Sequence, residues 1–524
     1  MRLTGCSWIE GKPVRGRGRR FWALRPTDGQ RLDPTYRGLG RAEVEDAVQA
    51  AQAAFPVLAV SDAEQRAKLL EQIAQNLEHC SQALLERAEA ETALGGARLE
   101  GELKRTTAQL RLFAELLRAR WWQDVRMDPA DPHRKPAPKP EIRSFRIGIG
   151  PVAVFGAANF PLAFSTVGGD TASALAAGCP VLMKAHPAHP GTSELAGQCI
   201  VEALRAVGLP AGSFALLFDA GFGVGRALVR HPGVRAVAFT GSRTGGMALW
   251  RLAARRPDPI PVFAEMGSLN PVLVLPGALR ERALPLAEGL YASFTLGVGQ
   301  FCTRPGLVLL PRMREAYLLR DRLSELVSNS PSGCLLTARI HAGYHAGIVR
   351  LAQAGARLLA QGRAPAGATS PWSAVATVWE ATLETFWEQE ALREEVFGPV
   401  TVLLEYTEPD ELLRFLDQLE GQLTLCLHAA EADLELARQL LGKALHRVGR
   451  IVWNGFPTGV EVGYATVHGG PFPATTDGRF TSVGMRAIER FLRPVALQNT
   501  PEALLPEPLR RLPVPCLVGG QWRL

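Results

Sequence analysis

Apolar residues recur at helical spacing through GRAEVEDAVQAAQAAF (40–55) and SDAEQRAKLLEQIAQNLEHCSQALLERAEAE (61–91), the second opened by a Ser-Asp start. Residues 41–122 are therefore expected to be helical. DPADPHRKPAPKPE (128–141) is an extended connector, because each proline removes a backbone donor and blocks helix. Beyond it the pattern alternates. GPVAVFGA, CPVLMKAH, FALLFDA and VRAVAFTGS are short β-rich runs, separated by the helical patterns STVGGDTASALAAG, SELAGQCIVEALRAVGL and GVGRALVRH. Such alternation predicts an α/β fold with a parallel sheet covered on both faces. IPVFAEMGSLNPVLVL (260–275) begins a second run of these units, which reaches about residue 460. The tail from 501 is Pro-rich and gives no readable pattern.

Composition changes this picture little. With 524 residues, 47% hydrophobic and 21% charged, the chain is expected to form two or more ordinary globular domains. The formal charge of +7 is spread over arginine-rich pieces without aromatic interleaving, so a solvated basic surface or an anionic small substrate fits better than nucleic acid. The eight cysteines form no CxxC pair, which argues against a metal ribbon or disulfide framework and for a reducing, cytoplasmic setting. The N-terminal stretch lacks the apolar core of a signal peptide, and the apolar region 147–183 is broken by Asn159, Pro161, Asp170 and glycines, so no membrane helix is expected.

Several residues stand out chemically, each with a plainer alternative. Lys184 ends the strand CPVLMK, where open α/β sheets bind ligands, yet strand-end lysines are also common on surfaces. FTGS (239–242) and GFGVGR (221–226) place glycines at strand-to-helix turns, where backbone can approach a pyrophosphate, but neither is a GxGxxG and both suit tight turns. His186 and His189 each precede a proline, so no helix presents them together and no metal site is predicted. Glu265 is a carboxylate on an apolar strand, either paired or functional. Asn159 in FGAANFPLAF is a polar amide in apolar surroundings, or a satisfied loop residue. Cys302 in GQFCTRPG (299–306) sits between small neighbours Gly297, Gly299 and Thr303, as an exposed nucleophile needs; an isolated cysteine is otherwise core filler.

Taken together, the Asn-Phe-Pro at Asn159, the strand-end Lys184, FTGS, the Glu of EMG, the Cys of GQFCTRPG, EEVFGPV (394–400) and WNGFPTG (453–459) resemble the aldehyde dehydrogenase superfamily over nearly the whole chain. KAHPAHPGTSE, FAEMGSLNP, GFPTGVEVGYATVHGGPFPATTDGR and TSVGMRAIERFLRPV are similar to its branch that oxidises 2-oxoglutarate semialdehyde (2,5-dioxopentanoate).

The resemblance implies a catalytic trio. Cys302 attacks the aldehyde, the Asn159 side chain and the Cys302 amide hold the oxyanion, and Glu265 activates the water that releases a free carboxylate. It implies an NADP or NAD site made by Lys184, Gly221, Gly225, Gly241, Ser242, Glu395 and Phe397; Pro187 stands where NAD-preferring relatives commonly carry a carboxylate, so NADP use is open. It further implies an NAD(P)-binding Rossmann-like domain (1–129 and 149–264) and a catalytic α/β domain (265–465). A small β oligomerisation arm (130–148 with 486–500) of a homodimer or homotetramer would complete the fold, leaving 501–524 as a tail without a role. The rival readings are a long-chain or other aliphatic aldehyde as substrate, and a non-catalytic structural or binding member, which would tend to lose the thiol or its helpers. A semialdehyde acid calls for a cation near its carboxylate, for which Arg304, Arg243 and Arg479 are chemically suitable.

Overall fold

The computed structural model describes residues 2–363, 370–512 and 515–523. Its first sheet is seven-stranded, in the order Val262–Glu265, Ala236–Thr240, Val152–Phe155, Val181–Lys184, Phe214–Leu217, Ser7–Ile9, Lys12–Val14. The first five strands are parallel; the last two are antiparallel additions from the N-terminus that the sequence pattern did not announce. Strand alternation splits their side chains between two cores. Val152 and Val154 pack with Leu70, Ile73 and Leu77 of the helix Ala63–His79, whereas Ala153 and Phe155 pack with Val44, Val48 and Leu228 on the opposite face. Each fully buried Val or Leu contributes about 1.5–3 kcal/mol of apolar transfer.

The helical region resolves into four helices, Arg41–Val60, Ala63–His79, Ser81–Thr92 and Gly96–Ala119. Asp62 caps the second by accepting from the Glu64 amide. The second sheet, also seven-stranded, runs Arg357–Gln361, Thr377–Thr382, Val400–Tyr406, Leu307–Pro311, Pro271–Val274, Gln422–His428, Val448–Trp453, parallel except at the first strand. The chain passes from one sheet to the other between Glu265 and Pro271, so Glu265 lies at their junction.

A third, five-stranded sheet is ordered Leu492–Gln498, Ile142–Gly148, Arg126–Asp128, Cys516–Val518, Gln521–Arg523. The tail is thus built in: Cys516–Val518 pairs in parallel with Arg126–Asp128, and Leu505, Leu509 and Cys516 bury against Val125. The proline content of the tail concealed two strands too short to show a period of two. Among the described residues, no helix is long and apolar enough to cross a membrane.

Candidate active site

Three chain segments converge at the junction of the first two sheets. Glu265 ends the strand Val262–Glu265, whose free edge is covered by 474–476: the Met266 amide donates to the Ala474 carbonyl and the Thr476 amide to that of Ala264. Cys302 follows a run of left-handed residues at Gly297, Val298 and Gly299 (φ 57°, 58° and 66°), which turns the chain sharply after the helix Pro276–Thr295. A Cβ on Gly299 would stand 2.2 Å from the Gly398 carbonyl oxygen, so that turn admits no side chain. The third segment, 468–482, supplies His468, Thr481 and Ser482.

Cys302 Sγ lies 3.4 Å from His468 Nε2, which in turn lies 2.9 Å from Glu265 Oε1. Ser482 Oγ donates to Glu265 Oε2 at 2.6 Å, and Thr481 Oγ1 accepts from the His468 amide at 2.8 Å. Because a carboxylate only accepts, the proton between His468 and Glu265 belongs to Nε2. Burial alone pushes the Glu265 carboxyl up, but the charge and hydrogen bond of His468, with the hydrogen bonds of Ser482 and Cys302, hold it below the usual carboxylate range. Burial pushes the Cys302 thiol well above its usual range, reinforced by Glu265 and Glu395 and opposed by Arg450. The thiol therefore rests protonated and needs a base in contact to release that proton. Glu265, Cys302 and His468 also lie within metal-clustering range, 4.8 Å, of one another, a spacing their mutual hydrogen bonds account for.

Asn159 reaches the same place from the loop after Val152–Phe155. One Nδ2 hydrogen goes to the Gln300 carbonyl at 2.9 Å, leaving the second available. The Cys302 amide finds no acceptor among the described residues, while Asn270 Nδ2 fixes the Cys302 carbonyl at 2.8 Å. Two N–H groups free to donate thus belong to Cys302 itself and to a side chain anchored two residues before it.

The cofactor candidates divide between two places. Lys184 aligns with Phe155 and Leu217 at the carboxyl ends of the first sheet, where burial pushes its ammonium down to about 8 against the pull of Asp219. Asp219 accepts the amides of Gly221 and Val224, and the Gly241 amide goes to the Glu265 carbonyl, so these glycines offer space rather than donors. A Cβ on Gly225 would meet the Phe155 ring at 2.9 Å. Ser242 caps the helix Arg243–Ala254 through Gly245, and the Arg243 and Thr244 amides meet no acceptor among the described residues. An open helix start beside a side-chain-free turn suits a phosphate. Glu395 and half-buried Phe397 lie in the other domain; a Cβ on Gly267 would stand 2.1 Å from Glu395 Oε2, and burial, opposed by Arg304 and a Ser268 backbone bond, lifts that carboxyl to about 7.

None of the three arginines singled out as carboxylate receptors is available. Arg304 is 2% exposed and donates to the Val400 and Val396 carbonyls. Arg243 pairs with Glu420 and Arg479 with Asp477, both in solvent. Sequence reasoning missed His468, whose HGG setting looks like loop. Its signal was a histidine before paired glycines: Gly470 (φ 149°) would put a Cβ 2.2 Å from the Gln422 carbonyl, so this backbone must press against the second sheet.

Comparisons with known proteins agree with this geometry. The sequence pattern of the aldehyde dehydrogenase family matches residues 14–478. Alpha-ketoglutaric semialdehyde dehydrogenase 2 of Azospirillum brasilense is 46% identical over 526 residues, covering 99% of this chain and 100% of that protein. Alpha-ketoglutaric semialdehyde dehydrogenase of Acinetobacter baylyi is 44% identical, over 97% and 96%. Among solved structures, PnpE in complex with nicotinamide adenine dinucleotide superposes with a TM-score of 0.80 at 23% identity, over 95% of this chain and 97% of that one.

Proposed function

This chain belongs to the aldehyde dehydrogenase family, and from that premise we propose that it oxidises 2-oxoglutarate semialdehyde to 2-oxoglutarate with NAD or NADP as hydride acceptor. The observation that carries the reading is the contact series Cys302, His468, Glu265 beside the Asn159 amide. Cys302 Sγ bonds to the aldehyde carbon as its proton passes to the Glu265–His468 pair. The carbonyl oxygen becomes an oxyanion that accepts from the Asn159 side chain and the Cys302 amide. A bound nicotinamide dinucleotide supplies the hydride acceptor, held by Lys184, the turns at Gly221, Gly225, Gly241 and Ser242, and Glu395 with Phe397. Loss of hydride from that carbon would leave a thioester, and the first proton passes from the Glu265–His468 pair to solvent. Glu265 then takes a proton from water, whose oxygen bonds to the thioester carbon as the C–S bond breaks, and that proton returns to Cys302 Sγ as the free acid forms. Relatives named for the same semialdehyde at 46% and 44% identity support this substrate over a long-chain aldehyde.

Both dinucleotides remain in the reading. Pro187 removes the carboxylate that would meet a 2′-phosphate close after Lys184, whereas Asp219 brings one to the same strand ends. The exposed outer strand Leu492–Gln498 is read as the surface where a second copy pairs. Eight scattered cysteines with no CxxC pair suit a reducing cytoplasm. The test follows NAD(P)H formation at 340 nm with 2,5-dioxopentanoate and with hexanal, for each dinucleotide. The dioxo acid is expected to win in kcat/KM, and Cys302→Ala to lose the activity while still binding dinucleotide. A preference for hexanal would reject the substrate, and an active Cys302→Ala would reject the nucleophile.

A further inference from the structure

The helix Gly96–Ala119 carries Arg98, Glu102 and Arg105 at positions i, i+4 and i+7, one face turned toward the Asn159 loop. Glu102 Oε1 accepts the amides of Leu162 and Ala163, at 2.8 and 2.9 Å, and fixes that loop to the helix. The two arginines flank it. Arg98 lies over the rings of Phe160 (4.8 Å) and Phe301 (5.1 Å) and donates to the Asn159 carbonyl. Arg105 lies over Phe164 at 5.2 Å, and the Phe164 ring is 6.3 Å from that of His468. Phe160 joins Phe164 and Phe301 into one aromatic wall running to the residue before Cys302.

Both cations have unused donors. Arg105 spends Nε on the Val460 carbonyl, but its buried Nη1 has no hydrogen-bond partner among the described residues, and neither has Nη1 of Arg98. A buried guanidinium nitrogen without an acceptor is costly unless something arrives to take it. Arg450 and Arg304 differ in that both terminal nitrogens are engaged, Arg450 on the Gly459 and Pro457 carbonyls and Arg304 on those of Val400 and Val396, leaving only the inner Nε without a partner among the described residues. Burial pushes the Arg105 guanidinium below its usual range, opposed first by Glu102 and then by the Cys302 site, Glu461 and Glu265, which sets it within electrostatic reach of the reacting groups.

We propose that Arg105, backed by Arg98, receives the substrate's remote carboxylate while the aromatic wall packs its methylenes. The inference rests on the semialdehyde-acid reading above and assigns the residues that make it selective. In an extended 2-oxo acid of this length, about 5 Å separates the aldehyde carbon from the carboxylate carbon, a span one aromatic ring wide. A purely apolar tunnel for long-chain aldehydes would have no use for two half-buried cations on its wall. A planar guanidinium stacked on Phe164 presents its free N–H edge in a fixed direction, as a carboxylate requires.

The test compares wild type with Arg105→Gln on 2,5-dioxopentanoate and on hexanal. The variant is expected to raise KM for the acid at least tenfold, with kcat changed less than threefold and hexanal kinetics unchanged. Hexanal turnover reports that the variant is folded. Should Arg105→Gln not fold, Arg105→Lys takes its place, with a smaller rise in KM for the acid alone. A wild type that prefers hexanal would overturn the substrate reading and this inference with it. A wild type that prefers the acid, beside an Arg105 variant with the same preference in full, would overturn only this inference.

Discussion

At the scale of single residues, the site separates proton affinity from nucleophilicity. Cys302 holds its proton tightly through burial and the nearby carboxylates, whereas Glu265 is kept ionised by His468 and Ser482 against the same burial. A base of depressed pKa beside a thiol of raised pKa gives little thiolate at rest, so an unoccupied site is protected from stray alkylation and oxidation. His468 is a positioning residue for Glu265, and its removal has a predictable sign. Without it the Glu265 carboxyl loses its main charge-stabilising partner and its pKa rises, so the acid limb of the kcat/KM–pH profile should move to higher pH in His468→Gln. Glu265→Gln differs: one burst of NAD(P)H should appear before turnover stalls at the thioester. Stopped-flow at 340 nm over a pH series measures both. A His468→Gln profile lowered uniformly, with its limb in place, would reduce His468 to a packing role.

At the scale of elements, the helix Gly96–Ala119 does more than cover the first sheet. Glu102 uses one oxygen to satisfy two loop amides, so Glu102→Ala should strand both donors and leave Arg98 without its counter-charge, Glu102 Oε2 lying 3.9 Å from Arg98 Nη2. Each stranded buried donor costs about 1–3 kcal/mol. Urea denaturation of Glu102→Ala should therefore show a loss of about 2–6 kcal/mol, with kcat falling for every aldehyde because the Asn159 loop is released. Glu102→Gln keeps an acceptor oxygen and should recover most of the stability; an Ala variant as stable as wild type would mean that the loop is held elsewhere. This helix also shows where sequence reading stops. It falls within the stretch 41–122 expected to be helical, and the strands that carry Lys184 and Glu265 were plain, because apolar patterning reports what is buried. Polar residues at 98, 102 and 105 look like a solvated stripe in the same reading, since nothing local says that another domain lies against them. His468 was hidden for a related reason: its neighbours are chosen to fit under a distant sheet, not to make a local element.

At the scale of the whole molecule, the third sheet raises a question that the chemistry does not answer. Its two outer strands are Leu492–Gln498 and Gln521–Arg523, and only the first is long enough, at seven residues, to offer an extended ladder to another chain. The tail strands close the other side: Arg143 donates to the Leu509 carbonyl, and Leu505, Leu509 and Cys516 fill a small core with Val125. The family pattern stops at residue 478, yet the Azospirillum brasilense relative matches through 99% of this chain, so that protein has sequence matching the tail as well. A chain ending at residue 500 would expose Val125, Phe145 and Leu497 together with the unpaired ladder of Arg126–Asp128, none of which contributes an atom to the Cys302 site. Its melting temperature should fall by several degrees, while kcat of the folded fraction stays within about threefold of the full chain. The mass from light scattering then locates the contact between copies. If copies pair through Leu492–Gln498, truncation leaves the oligomer intact; if the shortened chain becomes monomeric, the tail edge is the contact, and pairing through Leu492–Gln498 is rejected.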